Sequence, residues 1–244
     1  MSFRMMMLLL SVVVSSYGKD NFVSVSVVIP CSHNHFQHIE TLLTHYAHQT
    51  LVPQEVIISV SNSYSLKPGE IPKVQTRPWP FKLKIMQTPS RMLPSENRNN
   101  ATQYATGDLI IYQDADDLPH PQRVEIIDYI FRKTHFSHLR HQYVSDLYGT
   151  VDTQKFFEAS YDPAGIKVLM SHDKSDRVMY KHSTSIHYGN CAISKKVFGK
   201  IQWPVMVFGE DREFCNKIEK KYHNSVIIQV PLMIYRTNLS AISN

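Results

Sequence analysis

The amino-acid sequence predicts an α/β protein in which a mixed sheet of mostly parallel strands is flanked by helices within a single domain. Three observations predict this class. Apolar, β-branched segments alternate with segments of helical periodicity over the first 130 residues, as in βαβ units. The segment Leu109–Tyr112 is apolar throughout, which is typical of a central strand buried on both faces. The 244 residues, 43% of them hydrophobic, are enough to bury one sizeable core.

The individual elements follow from local patterns. Short apolar or alternating runs predict strands at 23–30, 55–60, 81–86, 109–112 and 226–230. Helical spacing of apolar residues or helix-terminus signals predict helices at 38–48, 95–106, 121–131 and 211–221. We expect Ser95 to cap the second helix and Gly107 to close it. The Pro-rich stretch 67–81 should be largely loop, and 132–187 a mixture of strand and loop.

Charge and composition disfavour several classes of protein. Lys and Arg total 26 against 21 for Asp and Glu, and the net charge of +5 suits an anionic ligand such as a nucleotide diphosphate. The sequence has no segment in which basic and aromatic residues alternate, so it does not predict a nucleic-acid-binding surface. The three cysteines, Cys31, Cys191 and Cys215, match neither a disulfide framework nor a Cys-x-x-Cys metal site. The sequence has neither a Gly-rich phosphate loop nor a G-x-S-x-G motif, which disfavours kinases and α/β hydrolases.

The N-terminal residues 1–18 have the pattern of a secretory signal peptide, with Arg4 ahead of an apolar run and small residues at its end. The run is far shorter than the ~20 residues that a membrane-spanning helix needs, and we predict no transmembrane span elsewhere. A disordered N-terminus or a first buried strand is the alternative. A cleaved signal peptide would send the protein to the secretory pathway, and otherwise it would be cytoplasmic. We take 19–244 as the folded domain.

Three carboxylates, Asp114, Asp116 and Asp117, directly follow the predicted central strand. Ligands of open α/β sheets bind beyond the carboxyl ends of the strands, so these side chains should lie in a crevice. An Asp-x-Asp pair offers hard oxygen ligands to Mg²⁺ or Mn²⁺, which usually share their coordination shell with substrate phosphates. The alternative is a solvated turn in which Asp117 caps the following helix.

A second acidic cluster, at 209–213, precedes the predicted helix 211–221. Acidic residues are favoured in a first helical turn by the helix dipole alone. The functional interpretation is a general base that is held across a cleft from the metal.

Two groups of histidines are weaker metal candidates. The first group, His33, His35 and His38, lacks the spaced acidic or Cys partners of a zinc site, so we expect loop and helix-start residues. The second group, His135, His138 and His141, is expected on a solvated basic face.

In combination, these motifs resemble the inverting glycosyltransferases of family 2, which have the Rossmann-like GT-A fold. Four segments carry the likeness in the family's order: the strand 25–30 with 48–50 after it, the strand 55–63, the run from Glu96 through Arg98 to Asp117, and the run 189–193 followed by 209–214 and by Tyr235 and Arg236. The likeness covers roughly 25–131 and 188–243.

The resemblance implies that the protein moves a sugar, with inversion, from a nucleotide-diphosphate donor to an acceptor hydroxyl. The implied cofactor is Mn²⁺ or Mg²⁺. Residues 19–131 would form the nucleotide-sugar half and 132–244 the acceptor half. The partners would be the nucleotide-sugar donor and a glycan, glycolipid or glycoprotein acceptor, with no nucleic acid.

The resemblance also implies roles for individual residues. Asp116 would bind the metal, and Asp114 would support the metal shell or contact the ribose. Asp211 would deprotonate the acceptor hydroxyl, with Glu210 orienting the acceptor or the helix. The nucleotide-sugar would also contact Pro30, Ser32, Ser61, Arg98, Ala115 and Arg236.

Some positions depart from the family pattern. Val60 and Ser61 stand where the family often has two acids that recognise the nucleotide base, and Asn238 replaces a frequent His near the diphosphate. These departures keep open a non-catalytic glycan- or nucleotide-binding protein on the same scaffold.

A nucleotidyltransferase would usually carry a Gly-rich, basic loop where this chain has 31–36. Two aromatic residues, Trp203 and Phe208, could stack on an acceptor sugar or pack in the core.

Overall fold

A computed structural model describes residues 24–146, 148–171 and 186–236. Within these ranges the strands are β1 (Val25–Ser32), β2 (Glu55–Ser61), β3 (Lys82–Thr88), β4 (Leu109–Tyr112), β5 (Leu118–Pro119), β6 (His138–Ser145), β7 (Val168–Met170), β8 (Ala192–Ser194) and β9 (Ser225–Tyr235). The α-helices are α1 (Ile39–Ala47), α2 (Glu70–Gln75), α3 (Pro94–Thr102), α4 (Arg123–Lys133), α5 (Thr153–Glu158), α6 (Lys195–Phe198) and α7 (Glu210–Tyr222).

All the described strands belong to one sheet, in the order β3-β2-β1-β4-β8-β6-β9-β5, with β7 paired to β9. The first four strands in this order, β3, β2, β1 and β4, are parallel, so their carboxyl ends lie at one edge of the sheet. Beyond β4 the sheet is mixed, because β8 runs antiparallel to both β4 and β6, whereas β6 and β9 are parallel. The predicted single-domain α/β architecture with a mixed sheet is confirmed.

Successive strand residues point to opposite sides of a sheet, and in β1, β2 and β4 the residues on both sides are buried. On β1, Val27 and Ile29 pack into one apolar cluster together with Leu43 of α1, while Val28 packs into the other. That second cluster includes Phe214 of α7. This double burial explains why β1 and β4 are almost continuously apolar.

The predicted strands and helices are present, and most differences concern their ends. Strand β4 has the predicted bounds, whereas β9 is much longer than 226–230. Helix α3 does not begin at a Ser95 cap: Leu93 is the N-cap residue, Ser95 is buried within the helix, and Pro94 occupies the first turn. Proline suits that position because its missing N–H would have no partner there. The helix ends at Thr102, well before Gly107.

The expectation of a loop over 67–81 was wrong in part, because α2 lies within it. Ile71 and Val74 of this helix are buried in the core and anchor the short helix. Pro72 is tolerated because it lies in the first turn, where backbone N–H groups have no helical partner.

The expected solvated face for the second histidine group holds for His135, which is exposed, but was wrong for the other two. His138 and His141 lie on β6, where they are 0% and 1% exposed. Helices cover these side chains: His138 lies near Cys215 of α7, and Arg123 Nε of α4 donates to His141 Nε2 at 3.3 Å.

None of the helices in the described ranges is long and apolar enough to cross a bilayer. Residues 1–18 and Asn238 lie outside the described residues, so the interpretations that concern them stay predictions.

Candidate active site

A cleft of about 500 Å³ opens at the carboxyl ends of the parallel strands. Among the residues that line it are nine of the ten predicted site residues: Pro30, Ser32, Ser61, Arg98, Asp114, Ala115, Asp116, Glu210 and Asp211. The tenth, Arg236, adjoins the lining residue Tyr235, and its backbone N–H donates to Asp117 Oδ1 at 3.1 Å. The fold therefore brings together two acidic motifs that are far apart in the sequence.

Asp114 is held by partners from two other segments. Its Oδ1 accepts from Arg98 Nη2 at 2.7 Å, and its Oδ2 accepts from Asn190 Nδ2 at 3.1 Å. Asn190 Oδ1 in turn accepts from the backbone N–H of Asp114 at 2.7 Å. Burial alone would raise the pKa of Asp114, but the Arg98 guanidinium beside it holds that pKa below its usual value. Asp114 is therefore paired with a positive charge and fixed in orientation.

Asp116 and Asp117 differ in where they point. Asp116 lines the cleft, whereas Asp117 is fully buried and accepts from Asn190 Nδ2 at 2.9 Å. Burial, and then the charge of Asp114, raise the pKa of both carboxyls, that of Asp117 well above its usual value. The predicted alternative in which Asp117 caps the next helix was wrong, because the N-cap residue of α4 is Gln122.

Arg98 bridges the two acidic motifs. Besides Asp114, it contacts Glu210, with Nη1 lying 3.3 Å from Oε1. The guanidinium carbon lies 4.5 Å from the centre of the Trp203 ring, and the residue is only 4% exposed. Trp203 itself is buried and stacks on Phe214, so it belongs to the core. Arg98 lines the cleft, but both of its terminal nitrogens contact carboxylates of the protein.

Asp211 lies in the first turn of α7, directly after Glu210. Gly209 precedes the helix with φ of 75°, a left-handed conformation that suits glycine. Asp211 Oδ1 accepts from the backbone N–H of Arg212 at 2.6 Å, and the carboxylate lines the cleft. Asp211 forms no ion pair within 24–146, 148–171 and 186–236, in contrast to Glu210.

A divalent cation would suit Asp116, an acid of the 114–117 motif that lines the cleft. The raised pKa of Asp116 reflects negative charge that burial and the neighbouring Asp114 leave poorly compensated, and a cation would relieve it. Ligand atoms of Asp114, Asp117 and His187 also converge within 4.8 Å of one another, but the Asn190 amide contacts all three residues. Asp116 is therefore the carboxylate of the motif best placed to meet a ligand in the cleft.

The profile of glycosyl transferase family 2 matches residues 26–202, which is more than half of the chain. The chain belongs to glycosyl transferase family 2. The sequence-based assignment to this family is therefore confirmed. A search of curated protein sequences found no match.

Solved structures support the fold of this family 2 chain. It superposes on Staphylococcus aureus TarS 1-349 in complex with UDP with a TM-score of 0.66 and 17% identity over 88% of this chain and 60% of TarS 1-349. The corresponding complex with UDP-GlcNAc gives 0.65 and 17%, over 91% and 62% of the two chains. A mannosyltransferase from Pyrobaculum calidifontis, in complex with GDP-Man and Mn²⁺, gives 0.55 and 16%, over 87% and 56%. The chain thus spans about 60% of the length of the TarS 1-349 chain.

Sequence reasoning assigned no role to several polar residues of the family 2 cleft. Asn97 donates to Ser61 Oγ at 3.0 Å and accepts from Ser59 Oγ at 2.9 Å. His187 lines the cleft, and burial lowers the pKa of its imidazole. Asn190 contacts both Asp114 and Asp117. Asn97 and Asn190 fall within the motifs quoted for the resemblance, but the sequence alone does not show which carboxylate or hydroxyl each one meets.

The first histidine group lies at a helix start, as expected, with His38 as the N-cap residue of α1, but it also adjoins the cleft. His33, His35 and His38 lie on a 3₁₀ helix, His33–His38, that follows β1 directly. His33 and His35 line the cleft. They are therefore potential ligand contacts, even though they form no metal cluster among the described residues.

Proposed function

We propose that this family 2 protein is a metal-dependent, inverting glycosyltransferase that moves a sugar from a nucleotide-diphosphate donor to an acceptor hydroxyl. The observation that carries the proposal is that Asp116 and Asp211 line one cleft while belonging to different elements, the end of β4 and the start of α7. Inversion requires attack from the face opposite the leaving group, so a base and a leaving-group site on separate elements suit it.

The donor would bind over the ends of β1 and β2, in contact with Pro30, Ser32 and Ser61. Ser32 Oγ is buried and has no hydrogen-bond partner within the described ranges, as expected for a hydroxyl that awaits a ligand. The complexes of TarS with UDP and UDP-GlcNAc, and of the mannosyltransferase with GDP-Man, support a nucleotide-sugar as the ligand class. Ser61, in place of an acid, would recognise the base through a neutral hydroxyl.

Asp116, supported by Asp114, would hold Mn²⁺ or Mg²⁺. The cation would neutralise the charge that gathers on the departing diphosphate. Asn190 and Arg98 keep Asp114 in place, and Asn190 also holds Asp117. Arg236 donates from its side chain to the backbone carbonyl of Asp116 and thereby steadies the loop that carries this ligand.

Asp211 would act as the general base. A sugar hydroxyl is a weak nucleophile, and a carboxylate that takes its proton during attack contributes about 10²–10⁴-fold to the rate. Glu210 suits this role less, because Arg98 engages its carboxylate. We assign Glu210 to positioning, since its contact with Arg98 links the start of α7 to α3.

The variants Asp116→Asn and Asp211→Asn test the proposal. Release of nucleotide diphosphate from UDP-GlcNAc and GDP-Man with Mn²⁺, and sugar transfer to a panel of glycan acceptors, should fall about 10²-fold or more in each variant. Glu213→Gln is the matched control, since Glu213 lies on the same helix and makes only a 3.9 Å contact with Lys217.

Calorimetric titration with nucleotide diphosphate separates the two roles. Asp211→Asn should retain affinity for the nucleotide, while Asp116→Asn should lose the Mn²⁺-dependent part of it. Wild-type rates in either variant would overturn the assignment. Donor binding with no turnover in the wild type would instead identify a non-catalytic binding protein on this scaffold.

A further inference from the structure

Three potential metal ligands converge in the core, outside the cleft. Ligand atoms of His138, Cys191 and Cys215 lie within 4.8 Å of one another, and all three residues are 0% exposed. They come from separate elements: His138 begins β6, Cys191 directly precedes β8, and Cys215 lies in α7. We propose that these three side chains bind a structural Zn²⁺ ion.

One ring nitrogen of His138 has a polar neighbour and the other has none among the described residues. Its Nδ1 lies 3.3 Å from Ser225 Oγ, whereas its Nε2 is buried and has no hydrogen-bond partner in the part of the chain that the structure describes. Ligating histidines usually bind a polar group through the second ring nitrogen, which fixes the ring and leaves the first nitrogen to the metal. A buried nitrogen without a partner is unfavourable, and a metal ion would satisfy it.

The ligand set suits Zn²⁺ in particular. Zinc binds thiolate sulfur at ~2.3 Å and imidazole nitrogen at ~2.0–2.1 Å, so ligand atoms within 4.8 Å of one another could surround one ion after they draw closer. Two thiolates and a neutral imidazole around a divalent cation carry no net charge, which suits a site closed off from water. A monovalent soft cation would leave a net negative charge there. The backbone carbonyl oxygen of Tyr188, which accepts from Cys215 Sγ at 3.6 Å, would become the fourth ligand once that thiol is deprotonated.

Such an ion would link the segment that contacts Asp114 to the helix that carries Asp211. Cys191 follows Asn190, the residue that binds Asp114, and Cys215 lies about one helical turn beyond Asp211. Zinc would therefore fix α7 against the segment that orients Asp114. The inference does not depend on the proposed function, because zinc binding can be measured without any activity.

The test measures the metal content of the purified full chain. After dialysis we expect about one zinc per chain by mass spectrometry, and a Co²⁺-substituted form with thiolate-to-metal charge-transfer absorption. Cys191→Ala and Cys215→Ala should lose both signals. Cys31→Ala is the matched control, because Cys31 is equally buried but lies outside the cluster, and it should keep them.

Two further measurements keep the test decisive. Asp116→Asn should retain the zinc, whereas its loss would place the ion in the cleft and overturn the proposal. Where a cysteine variant fails to fold, the wild type supplies the answer, since Zn²⁺ added to metal-free protein should raise its melting temperature. No uptake of Zn²⁺ or Co²⁺ by the wild type, or a disulfide between Cys191 and Cys215, would also overturn the proposal.

Discussion

Arg98 Nη2 donates to Asp114 Oδ1 across 2.7 Å, so a buried positive charge from α3 lies directly behind the first acid of the cluster. The same guanidinium reaches Glu210 at the start of α7. Three acids within four residues repel one another, and this contact stabilises one of the three charges. Asp116, which also lines the cleft, forms no ion pair within the described residues.

Replacement of Arg98 by Met should strongly destabilise the fold. Loss of one partner of a buried ion pair leaves an uncompensated charge and typically costs about 3–5 kcal/mol. Arg77→Met is the control, because Arg77 pairs with Glu40 on the surface and should cost no more than about 1 kcal/mol. Chemical denaturation of the two variants measures the difference. Equal losses would show that the contact between Arg98 and Asp114 contributes no more than a surface pair.

Glu55 should make stability depend on pH in the acid range. Its Oε1 accepts from Ser26 Oγ at 2.5 Å and from the backbone N–H and hydroxyl of Thr106 at 2.6 and 2.9 Å. Burial alone would raise the pKa of Glu55, but these hydrogen bonds outweigh it and lower that pKa. The stabilisation is therefore complete above the unfolded-state pKa of ~4.3 and is lost as the pH falls through the lower folded-state value.

Glu55→Gln tests this dependence by urea denaturation between about pH 7 and 3. The difference in unfolding free energy between wild type and variant should be constant near neutral pH and should shrink on acidification below ~4. Glu158→Gln, at an exposed position, should track the wild type throughout. A difference that grows on acidification would contradict the lowered pKa.

Much of the parallel half of the sheet could be predicted because its signals are local. An apolar run followed at once by acids marks β4 and its carboxyl end, and in parallel strands those ends share one edge. The same rule predicts that Ser32, Ser61 and Asp116 meet. Helix α2 was missed because a proline at its third position looks like a loop signal when the tertiary burial of Ile71 is unknown.

The mixed half carries relationships that the sequence does not reveal. Strand β8, of only three residues, lies between β4 and β6, and this insertion brings Cys191 next to His138. Their spacing along the chain contains no information about that pairing. The contacts of Asn190 and Arg98 were hidden for a similar reason, since each side chain could equally have faced solvent or a ligand.

Gly107 should not tolerate a side chain. A Cβ there would lie 2.6 Å from the backbone oxygen of Ser24 and 2.8 Å from the backbone nitrogen of Ser26, neither of which can move without displacing β1. We expect Gly107→Ala to cost about 1–3 kcal/mol, as overpacking does. Gly199→Ala is the control, since its Cβ would meet nothing closer than 4.0 Å. Thermal unfolding compares the two, and equal melting temperatures would contradict the close approach.

The exposed apolar loop before α7 should contribute to acceptor binding, a prediction that rests on the proposed function. Val205, Met206, Val207 and Phe208 are all exposed, and Phe208 at 85% lies two residues before Glu210. Exposed apolar residues are ordinary when isolated, whereas a contiguous run beside a cleft typically marks a binding surface. An aromatic ring there would offer a stacking face to a sugar, worth ~0.5–1.5 kcal/mol.

Phe208→Ser should therefore raise the KM for the acceptor by roughly tenfold, with donor hydrolysis and nucleotide affinity unchanged. Tyr148→Ser is the control, because Tyr148 is an equally exposed aromatic residue that, unlike Phe208, is not close in sequence to any residue that lines the cleft. Steady-state transfer assays at saturating donor measure the acceptor KM, and nucleotide titration measures donor affinity. A matched fall in transfer and donor hydrolysis would show that Phe208 acts on the donor or on the position of α7. An unchanged acceptor KM would show that the loop does not contact the acceptor.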